Sequence, residues 1–211
     1  MKKLIGAVLC IAMLVAVFSF AACGEESGGK NTLVIEAEYV NLDDVKGSGL
    51  SNDQSGVNMI YGKGTQEEKD KGWSNGYYIG YTYTSECSID FVFTADSAAT
   101  ASIVVRLGSE LGNITLTPDN VQISLNGKAI NYGSVYVEGS DGMDNMKFSD
   151  KTVSASETLV AGENVVNIKI LPNDLRGSST GGPTIDYVKI ESDAKLSYNP
   201  KTDNPSRVGE M

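Results

Sequence analysis

The chain contains no histidine, and its 211 residues include three cysteines, five prolines and one tryptophan. Without His there is no Ser-His or Cys-His pair to activate a nucleophile and no ordinary zinc site. Cysteine narrows the chemistry further. Cys10 lies in an uncharged N-terminal stretch and Cys23 closes that stretch in "FAAC", so only Cys87 falls in the part that reads as folded. A single thiol cannot close an internal disulfide. In "ECSIDFVF" Cys87 shares parity with Ile89, Phe91 and Phe93, which reads as a small buried hydrophobe rather than a nucleophile. Positive charge is scarce as well: 17 Lys and Arg stand against 27 Asp and Glu, a net charge of −10. Nucleic acid and anionic lipid are poor partners for such a surface, whereas hard cations and neutral ligands remain admissible. Beyond the N-terminal segment no stretch sustains an apolar helical stripe for three turns, so no major helix is expected.

What is present begins with Lys2 and Lys3, followed by an uncharged run from Leu4 to Ala22. A basic start, an apolar centre and small residues before the break describe an export signal. A run of roughly 20 apolar residues could also span a bilayer, but Ala21 and Ala22 immediately ahead of a Cys favour the signal. The pattern resembles a bacterial lipoprotein signal, which implies removal of residues 1–22 and a lipid on Cys23. Loss of Lys2 and Lys3 would leave 15 basic against 27 acidic residues, a net −12. Residues 23–31, with "GEESGGKN", are too polar and Gly-rich to bury a core and read as a flexible tether. The expectation is a domain held to the membrane through Cys23 at the bacterial cell surface, facing outside.

Residues 32–191 are punctuated by Gly, Asn, Asp and Ser between short segments rich in Val, Ile, Thr, Tyr and Phe, the signature of an all-β sandwich or barrel. "TASIVVRL" sets Ala101, Ile103 and Val105 on one face against Ser102, Val104 and Arg106 on the other. "NVVNIKIL" groups Val166, Ile168 and Ile170. Asn126-Gly127 separates two alternating arms, a strong hairpin signal because both residues tolerate positive φ. About 160 residues suit one two-sheet core and not two ordinary domains. Residues 47–76 show little periodicity and read as long loops, and 192–211 as a loosely held tail. Tyr77, Tyr78, Tyr81 and Tyr83 read as alternating strand residues, and "DGMDN" from Asp141 as a turn rather than a calcium loop.

The stretch "TLVIEAE", residues 32–38, carries the most pointed chemistry. If it is a strand throughout, Glu36 and Glu38 lie on one side of the sheet and repel unless something positive intervenes. No Lys or Arg falls between Asn31 and Val45. Either the acids are solvated, with a lysine such as Lys189 nearby, or a cation sits between them.

"IEAE", "GWSNGYYIGY", an "LxxGxNxxxIxI" stretch from Leu159 to Ile170 and a closing "GGPTIDYVKI" together resemble carbohydrate-binding modules of families 6 and 35, over residues 32–191. The resemblance implies a β-sandwich of jelly-roll form with a structural Ca²⁺ held by Glu36, Glu38 and Asp186, a cation that takes six to eight oxygens in a loose geometry. It also implies non-catalytic binding of polysaccharide or oligosaccharide, which needs an aromatic for the sugar face and amides or carboxylates for its hydroxyl rim. Trp73 and Tyr61 are the platform candidates, although the segment from Tyr61 is longer and more charged than the family pattern. Asn173, Asp174 and Arg176 are the hydrogen-bonding candidates. Two alternatives stay open: an adhesion or assembly protein that uses the same fold to bind another protein, and a carboxylate-based glycosidase.

Overall fold

The computed structural model describes residues 30–41, 44–46, 60–80, 82, 87–110, 112–171 and 182–204. The signal segment, Cys23, Tyr81, Tyr83, Asn173, Asp174 and Arg176 lie outside the described residues. Among those described, no helix is long and apolar enough to cross a membrane.

Alternation in the sequence becomes two antiparallel sheets. One contains β1 (Asn31–Glu36), β3 (Ile60–Gly62), β4 (Tyr77–Ile79), β6 (Ala99–Ser109), β11 (Phe148–Leu159) and β13 (Pro183–Ser192), ordered β11-β6-β13-β4-β3 with β1 also paired to β13. The other contains β2 (Val45–Lys46), β5 (Cys87–Ala95), β8 (Val121–Leu125), β9 (Lys128–Ala129), β12 (Gly162–Ile170) and β14 (Leu196–Ser197), ordered β14-β5-β12-β8-β9 with β2 also paired to β5. A small ribbon of β7 (Ile114–Leu116) and β10 (Val135–Val137) completes the strands. The result is the expected β-sandwich.

Period-two patterning positions the core between the sheets. Ile89, Phe91 and Phe93 of β5, Ile103 and Val105 of β6, Val166 and Ile168 of β12, and Val188 and Ile190 of β13 are all buried in one cluster. Cys87 lies in the same cluster, and burial pushes its thiol up to about 12, as befits an inert core residue. Asn126 and Gly127 form the β8–β9 turn with φ of 52° and 78°, the paired positive values that a two-residue hairpin of type I′ requires.

Two readings need correction. The segment 60–76 is more ordered than a long loop: it contains β3 and a short helix, α1 (Gln66–Asp70), entered through a capping box in which Thr65 and Glu68 satisfy each other's backbone amides. The tail from 193 to 204 continues into the fold. There β14 pairs with Thr94 and Ala95, Tyr198 packs against the core, and the Asn204 amide donates to the carbonyls of Glu38 and Val40. A two-residue strand and one amide leave no periodic trace, so neither was visible as pattern.

The edge of β5 bears on the site. Along one edge β12 pairs with all of β5. Along the other, β2 covers Ser88 and Ile89 and β14 covers Thr94 and Ala95, so Asp90, Phe91, Val92 and Phe93 have no strand beside them among the described residues.

Candidate functional site

The strand β1 stops at Glu36, two residues short of the sequence reading, and Ala37–Tyr39 turn into a single 3-10 helix. Glu38 is therefore not a strand residue, and simple face parity does not explain where it goes. The turn carries it inward: Glu38 is 2% exposed and Ala37 is fully buried. Burial takes Glu38 out of solvent, and Lys189 pairs with Asp150 at 3.1 Å.

Asp186 reaches the same place from β13 by a different device. The β13–β6 register shifts between Ile185 and Tyr187, so Asp186 is the extra residue of a β-bulge, which re-aims its side chain. It has no exposed surface. Its Oδ2 accepts from Arg106 Nε at 2.8 Å, and its Oδ1 accepts from the Ser74 backbone amide at 3.1 Å. Ser74 Oγ in turn donates to Glu36 Oε1 at 2.8 Å. Arg106 extends outward to Asp150 Oδ1 and to the Gly72 carbonyl, and its guanidinium lies 5.6 Å from the Tyr187 ring centre.

Three carboxylate oxygens are left over. Glu36 Oε2 and both oxygens of Glu38 are buried without a hydrogen-bond partner. Such groups cost free energy unless a proton or a cation satisfies them. Burial, reinforced by the neighbouring Glu36 and Asp186 carboxylates, raises Glu38 to about 8; its own backbone amide and the nearby Asn75 side chain only partly oppose this. Burial likewise raises Asp186 to about 7 against the pull of Ser74 and Arg106, and it raises Glu36. Three carboxylates facing one guanidinium carry two negative charges in excess when all are ionised. A divalent cation would neutralise the set, and so, in part, would a proton held on Glu38.

The donor chemistry suits a hard cation, since every candidate is a carboxylate oxygen. Among the described residues, however, no three His, Cys, Asp or Glu side chains stand in a metal-ligating array, and Asp186 is engaged with Arg106 and Ser74. The unsatisfied oxygens belong to Glu36 and Glu38 alone. Beside Glu38 lies a cavity of about 60 Å³ bordered by Tyr39, Ile60, Tyr77, Thr202 and Asn204, several times the roughly 10–15 Å³ that one water requires.

Trp73 does not stand out as a sugar platform. It is 6% exposed, its Nε1 donates to the Met146 carbonyl at 2.9 Å, and the Tyr78 ring meets it edge to face at 5.0 Å. It anchors the 72–76 turn over the carboxylates, and the "KGWSNG" context that looked loop-like in sequence conceals this because its partners lie far away in the chain. Tyr61, half-buried, stacks on buried Tyr78 at 5.4 Å. The turn has little room to move. A Cβ on Gly62 would come within 2.1 Å of the Gly76 carbonyl oxygen, so the two segments touch backbone to backbone.

Sequence reasoning missed Arg106, Ser74 and Asn204. Arg106 had a usable signal, a single charge in the apolar strand "IVVRL". Ser74 and Asn204 had none.

Fold and site together define a two-sheet β-sandwich protein with a buried acidic cluster at one end of β1. No family model matches the sequence, and no curated protein matches it. Among solved structures, the chain is similar to a family 35 carbohydrate-binding module from Clostridium thermocellum, with 16% identity and a TM-score of 0.43 over 76% of this chain and 97% of that one. It is also similar to the C-terminal family 6 module of a laminarinase from Zobellia galactanivorans, with 19% identity and a TM-score of 0.41 over 76% and 99%. A Podospora anserina β-(1,4)-mannanase that carries a family 35 module is similar at 16% identity and a TM-score of 0.46 over 78% of this chain, which spans 28% of that enzyme.

Proposed function

We infer that this chain is a non-catalytic carbohydrate-binding protein whose sandwich is closed at one end by a structural calcium ion and which is displayed outside the cell on a lipid at Cys23. The observation that carries the calcium reading is the set of three buried, unpartnered carboxylate oxygens on Glu36 and Glu38. Glu36 and Glu38 would hold the ion directly, and Asp186 would join through a lone pair that Arg106 and Ser74 leave free. Bound there, calcium supplies charge neutralisation and takes no part in any reaction. Arg106 and Ser74 keep Asp186 in place, Trp73 holds the turn that bears Ser74, and Asn204 ties the tail across the carbonyls of Glu38 and Val40.

The glycan reading is supported by the order and spacing of the motifs at Glu36, Trp73, Leu159 and Pro183, by the acidic surface that leaves neutral ligands admissible, and by the lack of any His-based catalytic pair. Calorimetry of the full chain against a glycan panel, with calcium and with chelator, tests it. Binding that weakens in chelator is the expected result. A flat response to every glycan, in calcium, would turn the reading toward adhesion to another protein; release of reducing ends from a bound glycan would turn it toward a glycosidase.

A further inference from the structure

The gap on the outer edge of β5 opens into a cleft of about 410 Å³, within the roughly 300–1,000 Å³ of small-molecule sites. Its floor is Asp90, Val92, Phe93 and Thr94 of β5. Tyr39, from the turn after β1, and Tyr198, from the tail after β14, both line it and are both half-buried. Asp44, Asp90 and Glu163 bring carboxylates, Asn41 and Asn199 bring amides, and Lys201 brings one ammonium. The walls are tied together, since the Lys201 amide donates to the Tyr39 carbonyl at 2.9 Å.

We propose that this cleft is the glycan-binding site and that it takes neutral sugar units, a location that rests on the carbohydrate-binding reading above. Two phenolic rings offer apolar faces to the C–H face of a pyranose, while carboxylates and amides accept and donate to its hydroxyls. Among the described residues of the lining, three carboxylates against one ammonium repel uronate and sulfate groups, which sets the ligand class. The gap itself supplies the room. With β2 and β14 each two residues long, the edge of β5 from Asp90 to Phe93 has no strand beside it among the described residues, and the charge of Asp90 there discourages strand addition. Tyr39 also borders the cavity beside Glu38, so the cleft shares a wall with the carboxylate cluster.

Calorimetric titration of the full chain with neutral xylo-, manno- and gluco-oligosaccharides and with oligogalacturonate tests the proposal, using Tyr198→Ala, Thr94→Trp and Asn173→Ala. Thr94 is exposed, so an indole there obstructs the cleft without entering the core; melting temperatures verify that each variant folds. The expected result is a neutral oligosaccharide bound by the native chain and at least tenfold weaker binding in both cleft variants. Undiminished binding in folded Thr94→Trp and Tyr198→Ala overturns the cleft and leaves carbohydrate binding standing, and loss in Asn173→Ala then returns the site to that residue. Failure of every glycan to bind the native chain overturns both. Tighter binding of oligogalacturonate than of the neutral sugars overturns the ligand class.

Discussion

Replacing Glu38 by Gln keeps the shape of the side chain and removes its charge, and the consequence should fade as calcium is bound. In the fold Glu38 rises from an ordinary 4.5 to about 8, chiefly through burial. A carboxyl raised in this way keeps its proton in the native state while the unfolded chain gives it up. Its contribution is therefore most favourable below about pH 4.5 and is lost as pH climbs from there through about 8, and Asp186, raised from 3.8 to about 7, acts in the same direction. At about 1.36 kcal/mol per unit, the burden from Glu38 at pH 8 is on the order of 4 kcal/mol as an upper limit. At roughly 2–4 °C per kcal/mol for a domain of this size, chelated Glu38→Gln should melt up to about 8–16 °C above the chelated native chain at pH 8, and near it at pH 5. Calcium at about 1,000 times its dissociation constant adds about 4.1 kcal/mol, or roughly 8–16 °C, to the native chain and far less to the variant, closing the gap. Differential scanning calorimetry at pH 5 and pH 8, with calcium and with chelator, reads all of this. If native and variant melt together in chelator at both pH values, and calcium shifts both equally, the unsatisfied carboxylate is not what the geometry indicates.

Arg106→Met strands Asp186 without its guanidinium, and removing one partner of a buried pair costs about 3–5 kcal/mol; denaturant unfolding should show a loss at pH 8 that shrinks at pH 5, where Asp186 holds a proton. Trp73→Ala should cost about 3–5 kcal/mol by emptying a packed site. By contrast Trp73→Phe, which gives up the bond to Met146 but keeps most of the packing, should leave glycan affinity unchanged in calorimetry; a large affinity loss in a folded Trp73→Phe would restore Trp73 as a platform. Gly127→Val should cost about 1–2 kcal/mol by chemical denaturation, since a Cβ at that position meets nothing within 4 Å and the left-handed backbone alone sets the penalty.

Much of the fold was legible because strand burial repeats every two residues. Ile89, Phe91 and Phe93 could be assigned inward from five letters, and the Asn126-Gly127 turn from two. The acidic cluster was legible only as residues: Glu36 and Asp186 share Ser74 as a hydrogen-bond partner and Glu38 is buried nearby, but not by the route that strand parity suggested. Glu38 arrives through a 3-10 turn and Asp186 through a bulge, and both are departures from periodicity that no periodic reading can contain. The burial of Trp73 was not legible, because its neighbours in sequence are polar while its partners Tyr78, Met146 and Phe148 come from other elements.

The amino-acid order alone determined the strands, the turn at Asn126-Gly127 and an excess of acid near Glu36, because these follow from local sterics and from charge that no rearrangement can remove. Only the tertiary structure decided that Arg106 faces Asp186, that three carboxylate oxygens are stranded nearby, and that a cleft along β5 is bordered by Tyr39 and Tyr198. Those facts depend on which segments, up to 166 residues apart in the case of Glu38 and Asn204, pack against one another. Such packing is set by the whole core at once.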